Sequence, residues 1–284
     1  EQGLLHITSL GVQLTPEGEK VFLELRDVVR DAYGLEQLES KLAAALGVKK
    51  MIIVPGDCDR DPASKRELAR AAADFLCSVV QDGNILAVSG GTTLAAVAEA
   101  VRLHGLRRRV TVVPVRGGLG EDIKIQSNSI AVALAEGLGG TYRLLHAPED
   151  VRPCNLEQIL SEPSIRSVIA LGRRADILLH GVGTAEEMAR RRGFDDSSIM
   201  DLIAAGAVGE AFGCYFDAQG SIIRNTASVG LRLEDLERIP LVIAVGGGKS
   251  KAWAVMAVLS RGYCDVCITD EGVARRLMSL KEIE

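Results

Sequence analysis

The sequence predicts an α/β fold: a doubly wound, mostly parallel sheet covered by helices on both faces, with a small hairpin inserted late in the chain. Three observations lead there. Seven short apolar runs recur along the 284 residues, separated by stretches of helical period. The runs are apolar throughout rather than alternating, which marks strands buried on both faces. Four of them lead straight into glycine-containing turns that open helices, the connection a parallel sheet requires.

Composition sets the outer bounds. With 47% hydrophobic residues the chain can bury a large core, and its net charge of −5 lacks the basic field of a free-standing nucleic-acid binder. An anionic ligand must therefore meet local positive groups. The apolar runs fall far short of the roughly 20 residues that cross a bilayer, and no signal-peptide pattern opens the chain, so no membrane contact and a cytoplasmic location are expected.

Taken in order, residues 4–18 alternate and reverse at Gly11, a short hairpin. Thr15 then caps a helix with Pro16 at its first position, and Val21, Leu25 and Val28 carry helical spacing to about Tyr33. A second helix places Leu35, Leu38, Leu42, Ala45 and Leu46 on one face. The predicted strands are 51–54 (MIIV), 85–89 (ILAVS), 110–115 (VTVVPV), 142–145 (YRLL), 176–182 (DILLHGV), 241–245 (LVIAV) and 265–269 (DVCIT). Between the runs 176–182 and 241–245, "CYFDAQGSIIR" (214–224) reads as a hairpin insertion around a polar turn at 217–220.

The strand-to-helix turns carry the chemistry, because ligands of open parallel sheets bind beyond the carboxyl ends of the strands. Gly90 and Gly91 permit close backbone approach, and Thr92 and Thr93 add hydroxyls and helix-start N–H groups suited to a phosphate. "GGGKSK" (246–251) lacks phosphate-loop spacing, yet it sets Lys249 and Lys251 at a helix start, where a cation is unfavourable unless an anion joins it. Either lysine suits a phosphate. In "RGGLGED", Arg116 can fork onto a phosphate while Glu121 or Asp122 accepts sugar hydroxyls. The triplet 190–192 (RRR) closes a helix, where arginine is at ease with the dipole, or else turns inward to a second phosphate.

Other patterns read as structural. Asp57, Asp59 and Asp61 imitate a calcium loop, but Pro62 and Leu68 stand where that loop needs Gly and Glu, so no metal site is expected; Asp61 before Pro62 is a helix cap. Cys264 and Cys267 form a C-x-x-C at a strand end with no second pair, and all six cysteines are expected as reduced thiols. His180 near a strand end is a core histidine or, less readily, a base.

Several stretches together resemble the effector-binding domains of SorC-type bacterial sugar-responsive repressors, the members governing glycolytic genes above all. They are "VPGDCDRDPASKRELARAAADFL", "SGGTTLAAVAEAV", "VPVRGGLGEDIKIQSN", "GTYRLL", "HGVGTAEEMARRR", "GEAFGCYFDAQG" and "TDEG". The resemblance covers essentially the whole chain. It implies a fold similar to the sugar-phosphate isomerases, and a sensor without a cofactor rather than a catalyst. The implied effector is fructose 1,6-bisphosphate, which lowers operator affinity. The implied ligand contacts are Gly90, Gly91, Thr92, Thr93, Arg116, Gln126, Arg191, Arg192, Glu210 and Lys251. This selects Lys251 over Lys249 and adds Gln126 and Glu210, which spacing does not nominate. It also implies three parts: a remnant of a winged helix-turn-helix over 1–18 with its wing at 7–14, a connecting helix over 19–34, and an effector-binding and oligomerisation domain over 35–284. Operator DNA is expected as a partner of the full-length protein only, and a homo-oligomer, dimer or tetramer, is expected. The alternative is a sugar-phosphate isomerase or deaminase on the same fold, with Glu210, Asp122 or His180 as acid or base.

Overall fold

The computed structural model describes residues 2–8, 11–119, 122–149 and 151–281. The hairpin is β1 (Leu5–Thr8) against β2 (Gly11–Leu14), and it leads into α1 (Pro16–Ala32). Thr15 caps that helix as its sequence implies, its Oγ1 accepting from the Gly18 N–H at 3.0 Å. A β-carbon on Gly18 would lie 2.0 Å from the Leu4 carbonyl oxygen, so this glycine is what lets hairpin and helix touch. In α2 (Leu35–Leu46) the leucines are buried as expected, whereas Ala45 is exposed and Ala43 packs against the core instead.

The main domain then alternates: β3 (Lys50–Val54), α3 (Pro62–Val79), β4 (Ile85–Val88), α4 (Thr92–His104), β5 (Thr111–Pro114), α5 (Ser127–Leu138) and β6 (Thr141–Tyr142). There follow α6 (Pro153–Ser161), α7 (Pro163–Gly172), β7 (Ile177–Gly181), β8 (Gly183–Thr184), α8 (Ala185–Arg191), α9 (Asp196–Ala204), β9 (Gly209–Ala211), β10 (Cys214–Phe216) and β11 (Ile222–Asn225). The chain closes with β12 (Leu241–Val245), α10 (Ala252–Leu259), β13 (Val266–Asp270) and α11 (Glu271–Lys281). Seven strands form one parallel sheet in the order β3-β13-β12-β7-β4-β5-β6.

Successive side chains of a strand face opposite ways, so this sheet feeds two cores. Leu86 and Val88 of β4 join α3, α4 and α5 on one side, while Ala87 joins α2, α10 and α11 on the other. Two departures from the sequence reading have local causes. The run 142–145 leaves the sheet early: its pairing with β5 ends where Arg143 N donates to Val112 O at 3.0 Å, and at Leu145 the Asn128 side chain takes the backbone groups, its Oδ1 accepting from Leu145 N and its Nδ2 donating to Leu145 O, both at 3.0 Å. The hairpin at 214–224 exists, with Asp217 Oδ1 accepting from the N–H groups of Gln219 and Ser221 in its turn, but it belongs to a four-stranded antiparallel sheet β11-β10-β9-β8. Strands of two and three residues such as β8 and β9 are too short to show a period. Among the described residues no helix is long and apolar enough to cross a membrane.

Candidate functional site

The sheet order places the site. From β4 the chain continues outward through β5 and β6, while from β7 it continues the other way through β12 and β13. The reversal between β4 and β7 is the topological switch point, where an open parallel sheet leaves a crevice past its strand ends. A cleft of about 850 Å³, including its open mouth, lies there, lined by residues 89–94 after β4 and 180–183 after β7. All ten ligand contacts implied by the family resemblance line it.

One wall is the start of α4. Gly91 has φ of 122°, a conformation side chains rarely adopt, and a β-carbon on Gly90 would lie 2.8 Å from the Ile125 carbonyl oxygen. Among the described residues no side chain caps this helix, and its first residues, Thr92 and Thr93, line the cleft. Gln126 lies opposite, with its Oε1 close against Gly118. Asp122 does not line the cleft: it is exposed and its Oδ1 accepts from Lys124 N at 3.0 Å, capping a short 3-10 turn. The expected sugar-hydroxyl role of Asp122 is thereby corrected, since the local backbone claims its carboxylate. Glu121 lies outside the described residues.

The three consecutive arginines divide. Arg190 points outward to Glu186 and Asp196, the solvated role at a helix end. Arg191 lines the cleft, its Nη1 3.5 Å from Met188 Sδ. Arg192 is buried with 1% of its side chain exposed; its Nη2 lies 2.5 Å from Glu149 Oε1 and 3.0 Å from Glu210 Oε1, and its Nη1 donates to the Tyr215 hydroxyl at 3.2 Å. Arg116 completes the cluster from the end of β5, with Nη1 3.2 Å from Glu210 Oε1 and Nη2 2.7 Å from Glu149 Oε1. Glu210 also accepts from the Gly213 N–H at 2.6 Å. Burial alone would raise the Glu210 carboxyl; the Arg192 and Arg116 charges outweigh that and hold it below the ordinary glutamate range. For Arg192, burial disfavours the charge, and Glu210 and Glu149 more than offset it, so the guanidinium stays protonated.

Of the two candidate lysines only Lys251 lines the cleft, its Nζ 3.8 Å from Glu187 Oε2. The turn before it is filled by carboxylates, one from the end of β13 and two from the segment after β3 that imitates a calcium loop. Asp270 Oδ2 accepts from Gly248 N at 2.6 Å, Asp57 Oδ1 from Lys249 N at 3.1 Å, and Asp59 Oδ2 from Ser250 N at 2.7 Å. The N–H groups that would have cradled a phosphate here are already paired. Asp61 caps α3 as read from the sequence, accepting from Ala63 N at 2.8 Å.

His180 lines the cleft floor but is only 1% exposed, with Nδ1 3.0 Å from the Gly181 oxygen and Nε2 3.4 Å from Cys264 Sγ. Burial pushes its pKa down to about 4, so the ring is neutral. It is the core histidine of the two readings. Cys264 and Cys267 are buried free thiols, and burial pushes Cys267 up to about 12. Among the residues lining the cleft, four cations stand against three carboxylates. Of those acids only Glu210 was nominated from the sequence. Glu187 sits in the first turn of a helix following a strand, a position the strand-end rule covers; Glu149, in the irregular segment before α6, carries no sequence signal.

Known proteins share this architecture. Residues 30–279 match the family model described as a sugar-binding domain. The central glycolytic genes regulator of Bacillus subtilis is 41% identical over 278 residues, covering 98% of this chain and 82% of that protein. A crystal structure of a SorC family transcriptional regulator from Enterococcus faecalis aligns with a TM-score of 0.77 at 35% identity, over 85% of this chain and 99% of that one. The full-length sorbitol operon regulator SorC from Klebsiella pneumoniae shares the fold, with a TM-score of 0.78 at 17% identity over 85% of this chain and 80% of its own. These relatives are regulators by name, and this chain belongs to the sugar-binding domain family of SorC-type transcriptional regulators rather than to a family of enzymes.

Proposed function

We propose that this chain is the effector-sensing part of a bacterial repressor of glycolytic genes, and that it binds a phosphorylated sugar, fructose 1,6-bisphosphate, which lowers operator affinity. The observation that carries the reading is the convergence of Thr92, Thr93, Arg116, Arg191, Arg192 and Lys251 on one cleft at the sheet's switch point. One phosphate is held by the start of α4 with Lys251, where dipole, N–H groups and ammonium act together. The second meets the arginine side of the cleft, and Gln126 and Glu210 take the sugar hydroxyls. The name of the Bacillus subtilis relative supports the glycolytic assignment. The protein works in the cytoplasm as a homo-oligomer, and the β1–β2 hairpin is the wing of a DNA-binding module. Its exposed apolar side chains, Ile7 at 86% and Val12 at 62%, fit a piece of a larger unit. Signalling requires that the sugar bind one conformer more tightly than another.

Calorimetry with fructose 1,6-bisphosphate, fructose 6-phosphate, glucosamine 6-phosphate and ribose 5-phosphate tests the assignment. The bisphosphate is expected to bind tightest, with no turnover of the three monophosphates. Tight binding of a monophosphate with no bisphosphate binding at millimolar concentration would overturn the effector; turnover would overturn the sensor.

A further inference from the structure

Arg116 and Arg192 enter the cleft already matched by acids. Two guanidiniums and two carboxylates, each with 6% or less of its side chain exposed, form one charge-balanced cluster. The two acids are held differently. Glu210 lies on a strand of the small sheet and its Oε1 takes the Gly213 N–H as well as both arginines. Among the described residues, the Glu149 carboxylate pairs with the guanidiniums of Arg116 and Arg192, from a segment of irregular backbone. That backbone is itself fixed, Glu149 N donating to Gly118 O and Glu149 O accepting from Val229 N, both at 2.8 Å. A swing of the Glu149 side chain would therefore disturb no main-chain pairing.

We infer that Glu149 is a specificity-determining residue: its carboxylate holds the place on Arg116 and Arg192 that the second anionic group of a ligand takes, and that group must displace it. A phosphate dianion brings more charge and more acceptor oxygens to the guanidinium pair than a carboxylate does, so it wins that exchange. A neutral or hydroxyl-bearing end of a monophosphate does not. The preference for a bisphosphate thus arises from a competing acid as well as from attracting cations. The inference rests on the phosphosugar reading of the cleft.

Calorimetric titration of the wild type and of Glu149→Gln with fructose 1,6-bisphosphate and fructose 6-phosphate tests it. Removing one like charge beside the second phosphate is expected to tighten bisphosphate binding about tenfold while monophosphate binding changes by less than about twofold. Unchanged or weaker bisphosphate binding by a folded Glu149→Gln variant, with the wild type binding normally, overturns the role of Glu149 and leaves the phosphosugar reading standing. Failure of the wild type to bind either sugar is a separate result that removes both. Because the variant leaves a buried arginine short of an acid and can fail to fold, a crystal structure of the wild type with fructose 1,6-bisphosphate provides the second test. Glu149 is expected to have left both guanidiniums with phosphate oxygens in its place; Glu149 still paired to them refutes the exchange.

Discussion

Arg191 and Arg192 are neighbours in sequence and opposites in environment, so their loss should register in different measurements. Arg192→Ala leaves Glu149 and Glu210 buried with one guanidinium between them, and breaking such a pair from one side costs about 3 to 5 kcal/mol. Urea unfolding should show that loss. Arg191→Ala removes a partly exposed cation on the cleft wall, and its unfolding midpoint should stay near the wild-type value while bisphosphate affinity falls roughly tenfold, as for one charge-assisted contact. His180 makes a pH-dependent contribution of its own. Its folded pKa of about 4 lies below the ordinary 6.5, so below 6.5 the unfolded chain takes up a proton that the folded chain refuses. The stability held above pH 6.5 is lost as pH falls towards 4, about 3 kcal/mol in all. Replacing His180 with Asn should flatten stability against pH across that window; an unchanged slope would assign the loss to other groups. Glu210, held below the glutamate range, adds its loss only at lower pH.

At the scale of elements, the turn from β12 into α10 shows how one segment positions another. Gly247 and Gly248 cannot carry side chains: a β-carbon on the first would lie 2.7 Å from Cys58 Sγ, and on the second 2.2 Å from Asp59 Oδ1. The acidic segment after β3 packs onto this turn and fixes the backbone that presents Lys251. Asp59→Ala removes acceptors of both the Ser250 N–H and its hydroxyl, an exposed pair of bonds worth about 1 kcal/mol of stability. Sugar binding should weaken several-fold through Lys251 while added calcium leaves the melting temperature unmoved. The sequence reading reached the seven parallel strands because they are continuous apolar runs between amphipathic helices, a local signal. It reached the α4 wall and the pair Lys249 and Lys251 because strand-end glycines and helix-start cations are local too; the choice of Lys251 came through family resemblance. Gln126 and Glu210 came only through family resemblance. Asp57 and Asp59 binding a turn almost 200 residues away, and Glu149 balancing two arginines from an irregular segment, are tertiary pairings with no periodic trace. The short strands β8 and β9 exist because they pair with a hairpin, and nothing in two or three residues announces that.

For the whole molecule, the separation between the hairpin and the cleft is the property with most bearing on function. The cleft sits at the centre of the parallel sheet, between β4 and β7, whereas α1 attaches near the sheet's edge strand β3: Arg30 pairs with Glu39 at 2.7 Å and donates to the Ile53 carbonyl at 2.8 Å. The hairpin in turn meets α1 through Gly18 and the Thr15 cap. On the proposed reading, a sugar signal travelling from the cleft to a DNA-binding part runs along a path that includes these contacts. Gly18→Ala attacks the last of them, because any β-carbon there collides with the Leu4 carbonyl and must push the hairpin off the helix. The core clusters do not include the hairpin, so the melting temperature should fall by no more than about 4 °C, the equivalent of roughly 1 kcal/mol in a domain of this size. Calorimetric affinity for fructose 1,6-bisphosphate should stay within about twofold of the wild type, since no lining residue is touched. In the full-length regulator the same substitution should weaken operator binding and blunt its response to the sugar. Loss of sugar binding in Gly18→Ala would show that the hairpin and the sensing domain are one functional unit, against the division at residues 18 and 34 proposed for this chain.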